Sequence, residues 1–98
     1  MKLLVIWLPE AEFTFNENIN FLARKWNLEV INNFLDRVDE VIDNIAENPY
    51  VYPAYENDKN IRKCVVTKHI SLYYKILENR IDLLTFWNNY QNPDDFEL

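Results

Sequence analysis

The side chains able to do chemistry in this sequence gather in its second half, between residues 59 and 91. His69 is the only histidine, and histidine is the side chain whose unperturbed pKa lies near neutrality, so it is the first choice for a general acid or base. Tyr90 offers an alternative proton donor. Around His69 lie six cations, Lys59, Arg62, Lys63, Lys68, Lys75 and Arg80, opposed as far as residue 80 by the single acid Glu78. Arg62, Lys63, Lys68, Lys75 and Arg80, with Tyr73 and Gln91, make a candidate binding set suited to a phosphate backbone or to an acidic protein partner. Each has a plainer reading. A lone histidine often caps a turn, and isolated cations on an antiparallel sheet are commonly a solvated face or a guard against edge pairing. Tyr73 and Tyr74 are neighbours, so on a strand they face opposite sides of the sheet: one belongs to the core, and the other is free to stack on a base or a partner side chain.

Composition narrows the chemistry further. The chain of 98 residues is 49% hydrophobic and 15% aromatic, which excludes a disordered tail and predicts one domain spanning residues 1–98. Glycine is absent, so the loops that cradle nucleotide phosphates have none of the residues they require, and no cofactor is expected. Tight turns must use Asn, Asp and Pro instead. Cys64 is the only cysteine, which rules out an internal disulfide and a cysteine zinc site; no metal is expected. The longest apolar run, residues 3–8, is too short to span a bilayer, and no cationic leader precedes a long apolar segment. The expectation is a cytoplasmic protein with no membrane partner. The net charge is −6, but the acids concentrate before residue 59. Acidic helices thus precede a basic sheet.

The elements that must position these residues follow from pattern. Residues 2–7 (KLLVIW) read as a strand stopped by Leu8-Pro9, and Pro9 with Glu10 and Glu12 opens a helix. Ala11, Phe15, Ile19, Leu22 and Trp26 recur at helical steps along one face, and Trp7, Trp26 and Trp87 are expected in the core. Asn27 can cap a second helix, whose stripe Ile31, Phe34, Leu35, Val38, Val41, Ile42 and Ile45 is the strongest periodic signal in the chain. NPYVYP, from Asn48 to Pro53, then predicts an extended connector. Strands follow at residues 61–67, 70–77 and 81–87, the last two joined by the polar turn Glu78-Asn79-Arg80. The expected architecture is α+β: an N-terminal strand, a two-helix hairpin and an antiparallel three-strand meander forming one sheet. The helices cover one face and leave the other open to basic and aromatic side chains.

Several segments in this order resemble a known family: the V-x-W strand ending before Ala11, NPxxYP around Pro49 and Pro53, Arg62 opening the second strand, Lys68-His69, Tyr74, and the FWxNxQNP ending. Together they resemble the RelE/ParE superfamily of toxins from bacterial type II toxin–antitoxin systems, over nearly the whole chain. The resemblance implies a plasmid-stabilisation or stress toxin neutralised by a small cognate antitoxin. It implies one of two targets, messenger RNA in the ribosomal A site or DNA gyrase.

Cutting RNA without a metal needs a base for the 2′-hydroxyl, an acid for the departing 5′-oxygen, and cations beside the charge-building phosphate. The family's ribonucleases meet this with Lys and Arg on the sheet and a Tyr or His near the C-terminus. Arg62 keeps one such cation. Ser71 stands where an Arg is implied early in the third strand, Tyr90 and Gln91 where one is implied after the last, and Phe96 near the terminal ionisable ring. A catalytic set of His69, Arg62, Lys68 and Tyr90 can be assembled as a substitute, with Lys63 also beside the phosphate. Three readings stay open: a toxin that binds a protein such as gyrase, a metal-independent ribosome-dependent endoribonuclease, and a degenerate, non-toxic member that still binds antitoxin.

Overall fold

The computed structural model describes residues 2–98. Pro9 begins α1 (Pro9–Lys25) where its missing N–H is not required, with Glu10 and Glu12 at the positive end of the helix and Arg24 and Lys25 at the negative end. Asn27 caps α2 (Leu28–Glu47): its side-chain oxygen accepts from Val30 N–H at 3.2 Å. Only Trp26 and Asn27 separate the helices.

The strands are β1 (Leu4–Trp7), β2 (Ala54–Tyr55), β3 (Asp58–Val65), β4 (Ile70–Ile76) and β5 (Arg80–Asn88), in the spatial order β1-β5-β4-β3-β2. The meander β3-β4-β5 forms as expected, but the sheet as a whole is mixed and has five strands, which corrects the simpler architecture. β1 runs parallel to β5, from Leu4 opposite Arg80 to Trp7 opposite Leu83. Parallel neighbours need a long connection, and the helices with β2, β3 and β4 supply it. β2 is two residues of the connector that turn back onto β3, with Ala54 opposite Arg62.

One face of the sheet meets the helices. Alternation along β3 and β4 puts Cys64, Ile70, Leu72, Tyr74 and Ile76 on that face, against Phe34, Val38, Val41 and Ile45 of α2. Each large apolar side chain so buried contributes about 1.5–3 kcal/mol. In β5 the core residues Leu83 and Phe86 are three apart, an odd spacing that strict alternation forbids. A bulge resolves it: Tyr74 pairs with Leu83 and Tyr73 with Thr85, so Leu84 is the extra residue and Phe86 returns to the core face.

β1 stops at Trp7 while β5 runs on to Asn88, which leaves the outer edge of β5 without a strand. Two side chains of α1, one turn apart, take its place. Thr14 Oγ1 accepts from Phe86 N–H at 2.9 Å, and Asn18 Nδ2 donates to the Phe86 carbonyl at 3.0 Å. Asn88 Nδ2 then donates to Asn18 Oδ1 at 3.0 Å, and both asparagines are buried. Turns are made in a similar way, by side chains. Among the described residues none has positive φ; instead Asn48, Asp58, Asn88 and Asn92 each accept the N–H two residues ahead on their own side-chain oxygen.

Replacing Asn18 with Leu leaves the Phe86 carbonyl and Asn88 amide without their partner in a buried place. Each such group costs about 1–3 kcal/mol, so Asn18→Leu should lower the urea midpoint substantially, while Asn16→Leu on the exposed side of α1 should change it little. Burial also raises the pKa of Cys64, Tyr73 and Tyr74, most of all Tyr74, whose hydroxyl donates to the Pro49 carbonyl at 2.7 Å. For Cys64 a hydrogen bond with Tyr52 and the charge of Arg37 offset part of that rise. The unfolded chain releases these protons at ordinary values, about 8.5 for Cys and about 10 for Tyr. The folded state keeps them, so their contribution to stability is complete below about pH 8 and falls as pH rises beyond it. Urea melts at pH 7 and pH 10 should show that loss, and Cys64 should resist alkylation until the chain unfolds.

Candidate functional site

At one end of the sheet the backbone brings together two elements that carry candidate residues. The turn between β3 and β4 holds Lys68 and His69, and His69 N–H donates to Thr67 Oγ1 at 3.4 Å. The chain leaving β5 is fastened to this turn by Asn89 N–H donating to the His69 carbonyl at 2.7 Å. Asn88, already held by Asn18, accepts Tyr90 N–H on its side chain at 2.9 Å, and Gln91 Oε1 accepts Asn88 N–H at 3.3 Å. The result places the Tyr90 hydroxyl 3.3 Å from His69 Nε2, with ring centroids 4.6 Å apart. In a neutral imidazole with Nε2 bare, the tyrosine donates; in imidazolium, the histidine does. Phe21 backs Tyr90 at 5.2 Å and Trp26 at 5.8 Å between centroids. Lys68 and Tyr90 are exposed and His69 is half-buried.

Arg62 lies elsewhere. It pairs with Tyr74 and so shares the helix-facing side of the sheet with Cys64. Its Nη1 donates to the Tyr52 carbonyl at 3.0 Å, and its guanidinium carbon sits 5.1 Å from the centre of the Tyr50 ring. Arg62 and Tyr74 thus hold the NPYVYP connector from beneath. Arg62 Nε is buried with no hydrogen-bond partner among the described residues. Along the strands, its pairing position is five residues from His69, roughly 16 Å at 3.3 Å per residue.

The remaining candidates occupy the open face. Lys63 is exposed, with its ammonium 6.0 Å from the centre of the Tyr73 ring. Lys75 stands opposite Asp82 in the strand register, and Asp82 Oδ1 accepts from Arg80 Nε at 2.9 Å, so the charge of Arg80 is locally answered. Tyr73 is not available for stacking on a base: it is 7% exposed, covered by Phe96 at 4.9 Å and flanked by Tyr55 at 6.0 Å between ring centroids. Phe96 also packs on Trp87 at 5.0 Å. The tail thereby covers part of a face that strand alternation alone leaves open. Ser71 on this face is buried as well.

Sequence reasoning missed Asn18 and Asn88, which set the position of Tyr90. The signal was present in α1, where Asn18 falls at helical spacing between Phe15 and Leu22, a polar side chain inside an apolar stripe. It also placed Trp26 in the core, whereas Trp26 is 41% exposed at the link between the helices. Among the described residues no group of three or more His, Cys, Asp or Glu side chains could hold a metal ion, and no helix is long and apolar enough to cross a membrane.

Two helices on one face of a mixed five-stranded sheet, in the order β1-β5-β4-β3-β2, are the arrangement with which this chain joins the type II toxins of the RelE/ParE superfamily. Solved structures with this fold include the chromosomal ParDE system of P. aeruginosa, at TM-score 0.71 and 9% identity over 89% of this chain and 96% of that one. The YoeB/ParE toxin of Agrobacterium tumefaciens matches at TM-score 0.61 and 11% identity, over 87% of this chain and 96% of its own. The YoeB-YefM complex of Staphylococcus aureus matches at 0.57 and 14%, over 89% and 97%. No curated protein matches by sequence. Residues 5–93 match the family described as the ParE toxin of the type II toxin-antitoxin system parDE, and the chain belongs to that family.

The geometry of Arg62 makes a prediction. A hydrogen bond from a charged donor contributes about 1.5–3 kcal/mol, so Arg62→Ala should destabilise the fold by about that amount and speed amide exchange at residues 50–55. Arg62→Lys should recover only part, because an ammonium cannot both lie flat on Tyr50 and reach the Tyr52 carbonyl in the same geometry.

Proposed function

We propose that this toxin acts by binding a protein target such as DNA gyrase and is neutralised in the cytoplasm by a cognate antitoxin. The observation that carries this reading is the dispersal of the groups that metal-free RNA cleavage would need. Arg62 is engaged under the connector on the helix side of the sheet, Ser71 is buried, and Phe96, with no ionisable proton, fills the aromatic socket of Tyr73 and Trp87. With Arg80 engaged by Asp82, Lys63 and Lys75 are left as a binding surface. The family match to ParE favours the same reading. The ParDE system of P. aeruginosa and the YoeB-YefM complex of Staphylococcus aureus, both of related fold, support an antitoxin as the physiological partner.

One observation favours a second reading. The Tyr90 hydroxyl and His69 Nε2 stand 3.3 Å apart, within reach of a proton relay, with Lys68 beside them in sequence. That pair is what a ribosome-dependent endoribonuclease would use here.

Induction of the chain without antitoxin separates the two. The expected outcome is growth arrest with loss of gyrase supercoiling and intact ribosome-bound messages. Tyr90→Phe, which removes the proton and keeps the ring, should leave the arrest in place. Cleaved messages in the wild type that become whole in His69→Ala or Tyr90→Phe would transfer the assignment to the endoribonuclease.

A further inference from the structure

Among the grooves on the surface of the described residues, three have walls that differ in sign. A groove of about 420 Å³ between α1 and the chain after β5 is lined by Glu10, Glu17, Asp95 and Glu97 against Arg24 alone. A wider one, about 630 Å³, lies beside the connector. Its cations are partly spoken for: Arg37 donates to the Val66 carbonyl at 3.2 Å and pairs with Glu40 at 3.0 Å, and Glu56 shares the wall with Lys63. The third, about 300 Å³, lies between the linked ends of the two helices and the turn carrying His69. Its walls are mostly apolar, with Phe21, Leu22, Val30, Phe34 and Ile70 beside the uncharged polar Asn33 and Thr67, and its rim holds Lys68 and His69 with no carboxylate.

This third groove continues onto surface that is apolar and uncovered. Trp26 is 41% exposed, Leu28 beside it 69%, and Tyr90 across the corner 57%. Exposed apolar groups gathered around a groove mark an interaction surface. The electrostatics are equally one-sided. The positive end of α2 opens at Val30's turn, Lys68 stands on the opposite rim, and Glu29 of the same turn is outside the lining. In a chain of net charge −6, this is an apolar slot with a cationic rim. A segment that fills it gains apolar burial from one large side chain and charge pairing from a carboxylate next to it.

We propose that this groove receives the toxin-binding segment of the antitoxin, which inserts a Leu- or Phe-sized side chain between Val30 and Ile70 and sets an adjacent carboxylate on Lys68. The assignment rests on the antitoxin-neutralised reading above and adds where the contact falls and what chemistry it has. The open sheet face is not required for it.

The test uses the full chain labelled with ¹⁵N and two synthetic peptides that differ only in charge, acetyl-Asp-Glu-Leu-Phe-Asp-Glu-amide and acetyl-Lys-Arg-Leu-Phe-Lys-Arg-amide. The acidic peptide should shift the Trp26 indole signal and the amides of Val30, Lys68 and His69, with the Trp87 indole unmoved; the basic peptide should bind about tenfold more weakly. Lys68→Glu should erase that preference. Shifts that fall instead on Lys63 and Lys75, or that are equal for the two peptides, overturn the groove's chemistry. A second arm uses the product of the adjacent reading frame. If it rescues growth and shields Trp26 from solvent, the occupant is as stated. Rescue with Trp26 left exposed overturns the groove and leaves the toxin reading standing. If the chain alone never arrests growth, the toxin reading falls and takes the occupant with it, whatever the peptides do.

Discussion

Two buried asparagines settle how the end of the sheet that carries His69 and Tyr90 is built. β5 outruns its parallel neighbour, and an unpaired edge inside a protein would strand backbone groups at a cost of about 1–3 kcal/mol each. Asn18 answers that cost with both ends of its amide, giving hydrogen bonds to the Thr14 and Phe86 carbonyls and receiving one from Asn88. Asn88 in turn fixes the first residues after the strand. The position of Tyr90, its contact with His69 and the shape of the corner beneath Trp26 all descend from one helix side chain standing in for a strand. Neither asparagine needs to touch a partner to govern what the partner meets.

The cations illustrate a second constraint, that nearness in sequence is not nearness on a surface. Six basic residues in one stretch suggest a single patch, but strand alternation sends Arg62 to the helix side and Lys63 to the open side, while the turn carries Lys68 to the far end. Arg62 is absorbed by the connector and Arg80 by Asp82. What remains is two separate features: a partly covered sheet face and a cationic rim around an apolar slot. They differ in chemistry, and they can be altered independently.

Much of this fold was legible in the sequence because it depends on local rules. Pro9, the Asn27 cap, the stripe of α2 and the strands of the meander are each fixed by residues a few positions apart. The parallel pairing of β1 with β5 was not legible, because a strand pattern states which side is buried and says nothing about a partner 76 residues away, as Arg80 is from Leu4. β2 was hidden for another reason: two residues after Pro53 are too few to show alternation. At the candidate site, His69 and Tyr90 could be singled out from residue type, but the contact between their side chains could not. The burial of Tyr73 could not, since it is imposed by Phe96 folding back from the tail. Arg62 was readable in part, for Arg62, Cys64 and Val66 alternate in phase and two of the three are apolar and buried.

The turns built from Asn and Asp side chains have a further consequence, for the chain that has lost its structure. A glycine turn is permissive in both states and gives the denatured ensemble extra freedom that folding must remove. This chain has none, so its denatured ensemble is narrower and less entropy is surrendered at each reversal. The same short side-chain to backbone hydrogen bonds at Asn48, Asp58, Asn88 and Asn92 can form transiently before any tertiary contact exists, because donor and acceptor are two residues apart. The reversals that bring β5 and the tail into place are therefore sampled early, by a chain whose search has already been restricted.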